Sequence, residues 1–349
     1  MPDPIPHTSE SARPGISVFH LTRTTPVLWP RNNIGATDRS WWFYDVRNVS
    51  RWFTSLGVSC LQPGESEAFH SHLEEVEGPH ENWYFVFEGQ GQVRTEYGDY
   101  RLGKFDAVFV PTGAVHQMRN AGTARLWYGA GSSSGGHSRR AYAYGVPCSE
   151  ARPGYQEEYD RIVRARESRG LPGRGGGEVI RVECTGDRPQ VKVFHLVDIV
   201  PRFWPRNELG ASDKYWWFYT ATAVSRWFHS FCIACVQPGG ASTFHSHMEE
   251  FEGPYETWYV VLEGQAEIRS EYADYPLERF DAAFMPAGAS HQMRNVGTEL
   301  LWYGTISSRG DSPLVVDTYE IPSGTARPGY LEEYNRIMEA RRRRGLSVP

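Results

Sequence analysis

Shifted by 175 residues, the chain lies on itself. "WPRN" at Trp29 returns at Trp204, "WWFY" at Trp41 returns at Trp216, and "SRWF" at Ser50 returns at Ser225. "HQMRN" (His116, His291), "LWYG" (Leu126, Leu301) and "RPGY" (Arg152, Arg327) keep the same offset. About two-thirds of positions are identical between Phe69–Gly129 and Phe244–Gly304. The 349 residues are therefore a tandem duplication of a unit of about 150 residues, an ordinary domain size. The glycine-rich run "ESRGLPGRGGGEV" reads as a linker between the copies. The expected division is a disordered segment over 1–15, a first domain over 16–168, a linker over 169–190 and a second domain over 191–349.

Each copy is patterned as β structure. Short runs such as "NWYFVFEG", "QVRTEY", "DAVFVP" and "RLWYGAG" are rich in Val, Phe, Tyr and Trp, with Gly, Pro and Asp between them, as in a sandwich or barrel. Each copy then closes on a helical period. Tyr155, Tyr159, Ile162 and Val163 share one stripe ahead of Gly170, and Tyr330, Tyr334, Ile337 and Met338 repeat it. Such a helix is expected to pack on its barrel or on the other copy.

Composition removes several function classes. The net charge is −6, and the only basic run, Arg341 to Arg344, reads as a solvated helix end rather than a nucleic-acid footprint. No stretch approaches a membrane span and the N-terminus carries no signal-peptide pattern. Five cysteines (60, 148, 184, 232 and 235) form no even framework, so a reducing cytoplasm is the expected compartment. Cys232 and Cys235 are three apart on a strand pattern, which points them to opposite faces rather than at one metal.

The chemistry concentrates in "FHSHLEEVEGPHENWYFVFEGQG" and its repeat, "FHSHMEEFEGPYETWYVVLEGQA". His70 and His72, two apart on a strand, project side by side, and His116 follows a Pro-x-Gly turn from "FDAVFVPTGAVH". His245, His247 and His291 repeat the set. An isolated histidine is usually a hydrogen-bonded core residue, whereas a duplicated pair plus a third argues for ligation of one ion per copy.

These strings resemble the two motifs of the cupin superfamily. Gly64, His70, His72 and Gly89 match the first motif, and Pro111, Gly113, His116 and Asn120 match the second. Gly239, His245, His247, Gly264, Pro286, Gly288, His291 and Asn295 do the same in the other copy. The resemblance implies an all-β bicupin: two tandem double-stranded β-helix (jelly-roll) barrels, each followed by a short C-terminal helix and each holding one mononuclear metal. It also implies a homodimer.

Two departures from the pattern matter. The position where cupins usually supply a glutamate ligand is Asn82 in one copy and Thr257 in the other, with Glu81 and Glu256 one residue earlier, where strict alternation turns them outward unless a bulge intervenes. The lengthened loop offers Glu74, Glu75 and Glu77, or Glu249, Glu250 and Glu252; Glu77 or Glu252 could complete a site, as could Glu81 or Glu256, or no carboxylate at all. Phe105 stands where the second motif normally has Gly, which reads as a turn variant without cost.

Alternation also brings Tyr84, Val86, Tyr259 and Val261 inward, with Gln62, Gln237, Met118 and Met293. Tyr84, Tyr259, Glu81 and Glu256 are the candidate catalytic groups, able to orient substrate or move a proton. Arg119 and Arg294 point away toward structural ion pairs, and the "WWFY" tryptophans are expected to be buried between the copies.

By resemblance to three-histidine dioxygenases, the favoured expectation is an Fe(II) oxidoreductase acting on a small aromatic or apolar molecule, with Mn, Zn, Ni or Cu as other ions. A redox-neutral isomerase, lyase or decarboxylase is the second reading, and a non-catalytic ligand-binding bicupin the third. Differences at Asn82/Thr257, His80/Tyr255, Phe85/Val260 and Val115/Ser290 leave open whether both pockets work alike.

Overall fold

The computed structural model describes residues 5–8, 12–29, 38–42, 50–67, 70–74, 80–133, 142–145, 150–168, 179–182, 188–203, 214–220, 224–253, 255–308 and 318–345. An N-terminal arm holds β1 (Ile5–Thr8) and β2 (Ser17–Phe19). The first copy follows with β3 (Val27–Trp29), β4 (Asp38–Trp42), β5 (Phe53–Leu61), β6 (Glu81–Glu88), β7 (Gly91–Arg94) and β8 (Asp99–Leu102). It continues through β9 (Ala107–Val110), β10 (Gln117–Asn120), β11 (Leu126–Ser133), β12 (Tyr142–Gly145), helix α1 (Tyr155–Glu167) and β13 (Val179–Val182).

A second arm strand, β14 (Lys192–Phe194), opens the other copy, with β15 (Arg202–Phe203), β16 (Lys214–Thr220), β17 (Phe228–Val236), helix α2 (Glu249–Glu252) and β18 (Thr257–Glu263). Then come β19 (Ala266–Arg269), β20 (Asp274–Leu277), β21 (Ala282–Met285), β22 (Gln292–Asn295), β23 (Leu301–Ser308), β24 (Thr318–Ile321) and helix α3 (Tyr330–Arg343).

Each copy builds a jelly roll from a seven-stranded and a three-stranded antiparallel sheet. The first domain orders its strands β14-β9-β6-β11-β5-β4-β3 and β10-β7-β8; the second orders them β15-β16-β17-β23-β18-β21-β2 and β20-β19-β22. Parallel pairs β12–β13 and β1–β24 lie outside these sheets.

One strand in each large sheet comes from an unexpected part of the chain. β14, which opens the second copy, pairs with β9 of the first domain, and β2, from the N-terminal arm, pairs with β21 of the second. The chain accordingly divides into Thr24–Asp198 and a discontinuous unit of Met1–Arg23 with Ile199–Pro349. The expected boundary near 190 and the disordered 1–15 segment both differ from this. Ile5–Thr8 is a strand, and Arg13 is 6% exposed, ion-paired to Glu271 at 3.2 Å and donating to Ser290 Oγ and the Ile321 carbonyl.

Each arm is tied in the same way. His20 Nδ1 lies 2.8 Å from Asp281 Oδ2, and His195 Nδ1 lies 2.8 Å from Asp106 Oδ2. The arms also fill the interiors. Ile16 and Val18 pack with Cys232, Val261, Met285 and Tyr303, while Val191 and Val193 pack with Val86, Val108, Met118 and Tyr128. A fully buried Val or Ile contributes about 1.5–3 kcal/mol, an upper bound for Ile16 and Val191 and more than the half-buried Val18 and Val193 supply, so the arms are structural parts of the domains they join.

The closing helices pack on their own domain. Tyr330, Tyr334, Ile337 and Met338 cover Phe244, the residue before His245, and thus support the histidine segment from behind. Tyr155 and Tyr159 are buried likewise, and the side chains of Ile162 and Val163 lie outside the described residues. Arg341, expected in a solvated run, is fully buried, whereas Arg342 to Arg344 are exposed.

The "WWFY" blocks enter β4 and β16, but the burial of their side chains lies outside the described residues. Phe105 and Phe280 hold φ of 68° and 70°, the left-handed region where glycine is the ordinary choice. The variant is therefore not free of cost, at about 1–2 kcal/mol of backbone strain each. Burial of both rings, at 4% and 5% exposure, offsets it. Among the described residues no helix is long and apolar enough to cross a membrane.

Candidate metal centres

The histidine pairs lie between β5 and β6 and between β17 and β18, on segments bridged to the stretch entering β10 and β22. His70 donates its backbone N–H to the His116 carbonyl at 3.1 Å and receives the His116 N–H at 2.9 Å; His245 and His291 repeat this at 3.1 and 2.8 Å. The Pro-x-Gly turns aim the third imidazole. Gly113 and Gly288, at φ of 85° and 83°, take the conformation only glycine adopts cheaply, and their N–H groups donate to the His72 and His247 carbonyls at 2.6 Å.

The result is three convergent rings per domain. Centroid separations are 4.8, 4.3 and 5.4 Å among His70, His72 and His116, and 4.6, 4.4 and 5.5 Å among His245, His247 and His291. Within each triad the possible ligand atoms lie within 4.8 Å of one another.

Outer contacts set the tautomers. His116, His245 and His291 place Nδ1 2.9, 2.8 and 2.8 Å from the carbonyls of Ala114, Thr243 and Ala289. A carbonyl accepts only, so each Nδ1 carries the proton and each Nε2 lone pair faces the pocket, the arrangement typical of metal-bound imidazole. His291 is 1% exposed, yet its Nε2 has no hydrogen-bond partner among the described residues, a loss of about 1–3 kcal/mol if nothing else satisfies it. His245 Nε2 stands 3.0 Å from His247 Nε2. Burial first, then the neighbouring His245 and His247, hold His291 well below the ordinary imidazole pKa of 6.5, so it is neutral and able to ligate. These donors fit a divalent ion that accepts imidazole nitrogen.

The cupin domain family model matches residues 57–128 and 232–303, the two stretches that hold these triads. The chain carries two cupin domains. A search of curated proteins finds no match. Among solved structures, the formate complex of the Lactobacillus farciminis oxalate decarboxylase is similar at 17% identity, covering 89% of each chain with a TM-score of 0.56. A Bacillus subtilis oxalate decarboxylase studied for its Mn(II) centres is also 17% identical, covering 89% of this chain and 80% of its own, with a TM-score of 0.54. The E. coli protein Ylba is 10% identical, covering 88% and 96%, with a TM-score of 0.54. These likenesses concern the fold.

Neither cupin triad includes a carboxylate among the described residues. β6 pairs with β11 without a register shift over Glu81 to Val86, so no bulge turns Glu81 inward. Glu81 shares its face with Trp83 and Phe85, opposite Asn82 and Tyr84, and Glu256 lies opposite Thr257 and Tyr259 by the same alternation. Glu74, Glu249 and Glu250 are exposed, while Glu75, Glu77 and the side chain of Glu252 lie outside the described residues. The expected roles of Glu81 and Glu256 thus find no support in the geometry.

Tyr84 does reach the first site: its hydroxyl lies 3.2 Å from His116 Nε2. Tyr259 packs near His291 with centroids 5.6 Å apart. Met118 and Met293 are fully buried in the two cores, but Gln62 and Gln237 are exposed, because β5 and β17 end one residue earlier. Arg294 pairs with Glu267 at 2.7 Å, the structural ion pair expected of it. Phe85 meets Phe87 edge to face on the outer side of β6, so its difference from Val260 does not touch the pocket. His80 does, with its ring 4.4 Å from that of His72, and Tyr255 takes that place 4.2 Å from His247.

One carboxylate near the first site escaped sequence reasoning. Glu67 is 4% exposed; Tyr128 donates its hydroxyl to Glu67 Oε1 at 2.5 Å, and the Met118 N–H points at Oε2 at 3.4 Å. Its counterpart is Ser242, whose hydroxyl oxygen accepts the Met293 N–H at 2.9 Å. The signal available in the sequence was the substitution itself, a Glu–Ser difference three residues before matched histidines.

Proposed function

We propose that this chain is a metal-dependent enzyme that cleaves or rearranges a small carboxylate-bearing molecule without net oxidation, decarboxylation being the leading case. The reading rests on one observation: three imidazoles converge in each domain, and in the first a tyrosine hydroxyl stands 3.2 Å from His116 Nε2. The names of the similar structures, two of them oxalate decarboxylases, support the same class. They also raise manganese, already among the ions considered, to the first place that iron was given.

His70, His72 and His116 would hold one ion, and His245, His247 and His291 the other. A bound divalent ion supplies Lewis-acid polarisation of a carboxylate or carbonyl oxygen. Val86, Met118 and Leu126 are buried with Tyr84 in one apolar core cluster, which would keep water from that side of the site. Tyr84 is the proton donor of this scheme. The bond to the departing carboxylate breaks, CO2 leaves, and the electron pair stays on the remaining carbon and takes the Tyr84 proton, which solvent then restores.

A second reading, oxygenation by a three-histidine centre, is favoured by the absence of a carboxylate from both triads among the described residues. Turnover of oxalate and related small acids by metal-loaded protein separates them. CO2 release without net oxygen consumption supports the first reading, stoichiometric oxygen uptake supports the second, and neither would mean a ligand-binding protein.

A further inference from the structure

Asn82 is 4% exposed and stands on the inward face of β6, one row from Tyr84, yet its Oδ1 has no hydrogen-bond partner among the described residues. Its cross-strand neighbours are Ser132 on β11 and Val110 on β9. Ser132 is already engaged, accepting from Ser55 Oγ at 3.0 Å. The same row of the second domain closes on itself: Thr257 Oγ1 and Ser307 Oγ are 3.2 Å apart, and Met285 replaces Val110.

The next row repeats the contrast. Gly57, Ala130 and Tyr84 lie side by side in the first domain, where the second has Cys232, Thr305 and Tyr259, with Cys232 and Thr305 hydrogen-bonded. The first wall is therefore smaller in side chain and keeps an open polar group. The second is filled and internally paired.

We propose that the Asn82 carboxamide is the recognition group of the first pocket, selecting a small carboxylate that also carries a hydroxyl, and that the second pocket lacks this selectivity. The inference rests on the metal-site reading above and adds the substrate feature that reading leaves open. An acceptor oxygen buried one row from Tyr84, whose hydroxyl reaches His116, calls for a donor on the ligand, and an α-hydroxy acid offers a hydroxyl next to its carboxylate. A ligand without the hydroxyl offers no donor to the amide oxygen, which disfavours it.

The test uses the full chain with His245→Ala/His247→Ala, so that only the first triad loads Co(II). Glycolate and acetate are the probes, read by the visible absorption of the bound cobalt. Glycolate is expected to bind about tenfold tighter than acetate, and Asn82→Thr to bring the ratio below about threefold. That variant installs the residue the second domain already accommodates, so Co(II) content and melting temperature should not change. In the mirror variant, His70→Ala/His72→Ala, the ratio should already be near one.

A ratio that survives Asn82→Thr, or is absent from the first domain at the outset, overturns the inference alone. Failure of either triad to bind metal overturns the proposed function and this inference with it.

Discussion

Position 82 presents a carboxamide and position 257 a hydroxyl, and around them the two domains differ at Glu67/Ser242, Gly57/Cys232 and Ala130/Thr305, while all six imidazoles keep their places. The rings are tied by backbone pairs, Pro-x-Gly turns and Nδ1 contacts that recur in both domains, so a change in any of them would disturb ion binding. Duplication thus kept the imidazole triads and let the residues around them diverge. A second contrast concerns assembly. The first domain is one contiguous stretch, Thr24–Asp198, whereas the second needs Met1–Arg23 as well.

The assembly contrast yields the largest effect. Deleting residues 1–23 removes β2, the Ile16 and Val18 packing and the Arg13–Glu271 pair from the second domain. Loss of the buried pair alone costs about 3–5 kcal/mol. Calorimetry should show the second domain's transition falling by at least about 10 °C with the first unmoved. Transitions that both stay put would break the comparison.

Arg13→Ala in the intact chain isolates one part of that loss. Glu271, whose side chain is 1% exposed, would be left buried without this cation, again at about 3–5 kcal/mol and in the second domain only.

Gly129→Ala sharpens the comparison on the outer face. A Cβ there would meet the Phe85 ring at 2.3 Å, costing about 1–3 kcal/mol of first-domain stability. Adding Phe85→Val, the residue of the second domain, should restore most of it, as urea unfolding can measure.

The smallest expected effect is one of pH. His291 is held neutral below its ordinary 6.5, so the unfolded chain takes up a proton there that the folded chain refuses. Stability of the metal-free second domain is therefore complete above pH 6.5 and declines as the pH falls below it. Melting curves between pH 8 and 5.5 would show the decline, and a flat profile would contradict it.

Much of this was legible in the sequence. The offset repeat, the alternating strands, the histidine pairs and the inward Tyr84 all follow from spacing, because strand periodicity and turn chemistry are local. Which domain each arm joins was not. "VFHL" at Val18 and at Val193 offers the same residues to both sheets, so only the folded path of the chain decides between them. Glu67 was hidden for a related reason, since it lies outside a regular strand and no alternation assigns its face. The left-handed phenylalanines at 105 and 280 show the reverse case. The departure from the expected glycine was visible, but its strain lies in a φ value that composition does not carry.

The most direct measurement is the metal content of the purified full chain beside His70→Ala/His72→Ala and His245→Ala/His247→Ala, by elemental mass spectrometry after loading with a single divalent ion. The account predicts two equivalents in the parent chain and one in each variant, with the folded state retained. No stoichiometric metal in the parent chain, or two equivalents surviving in either variant, would contradict it.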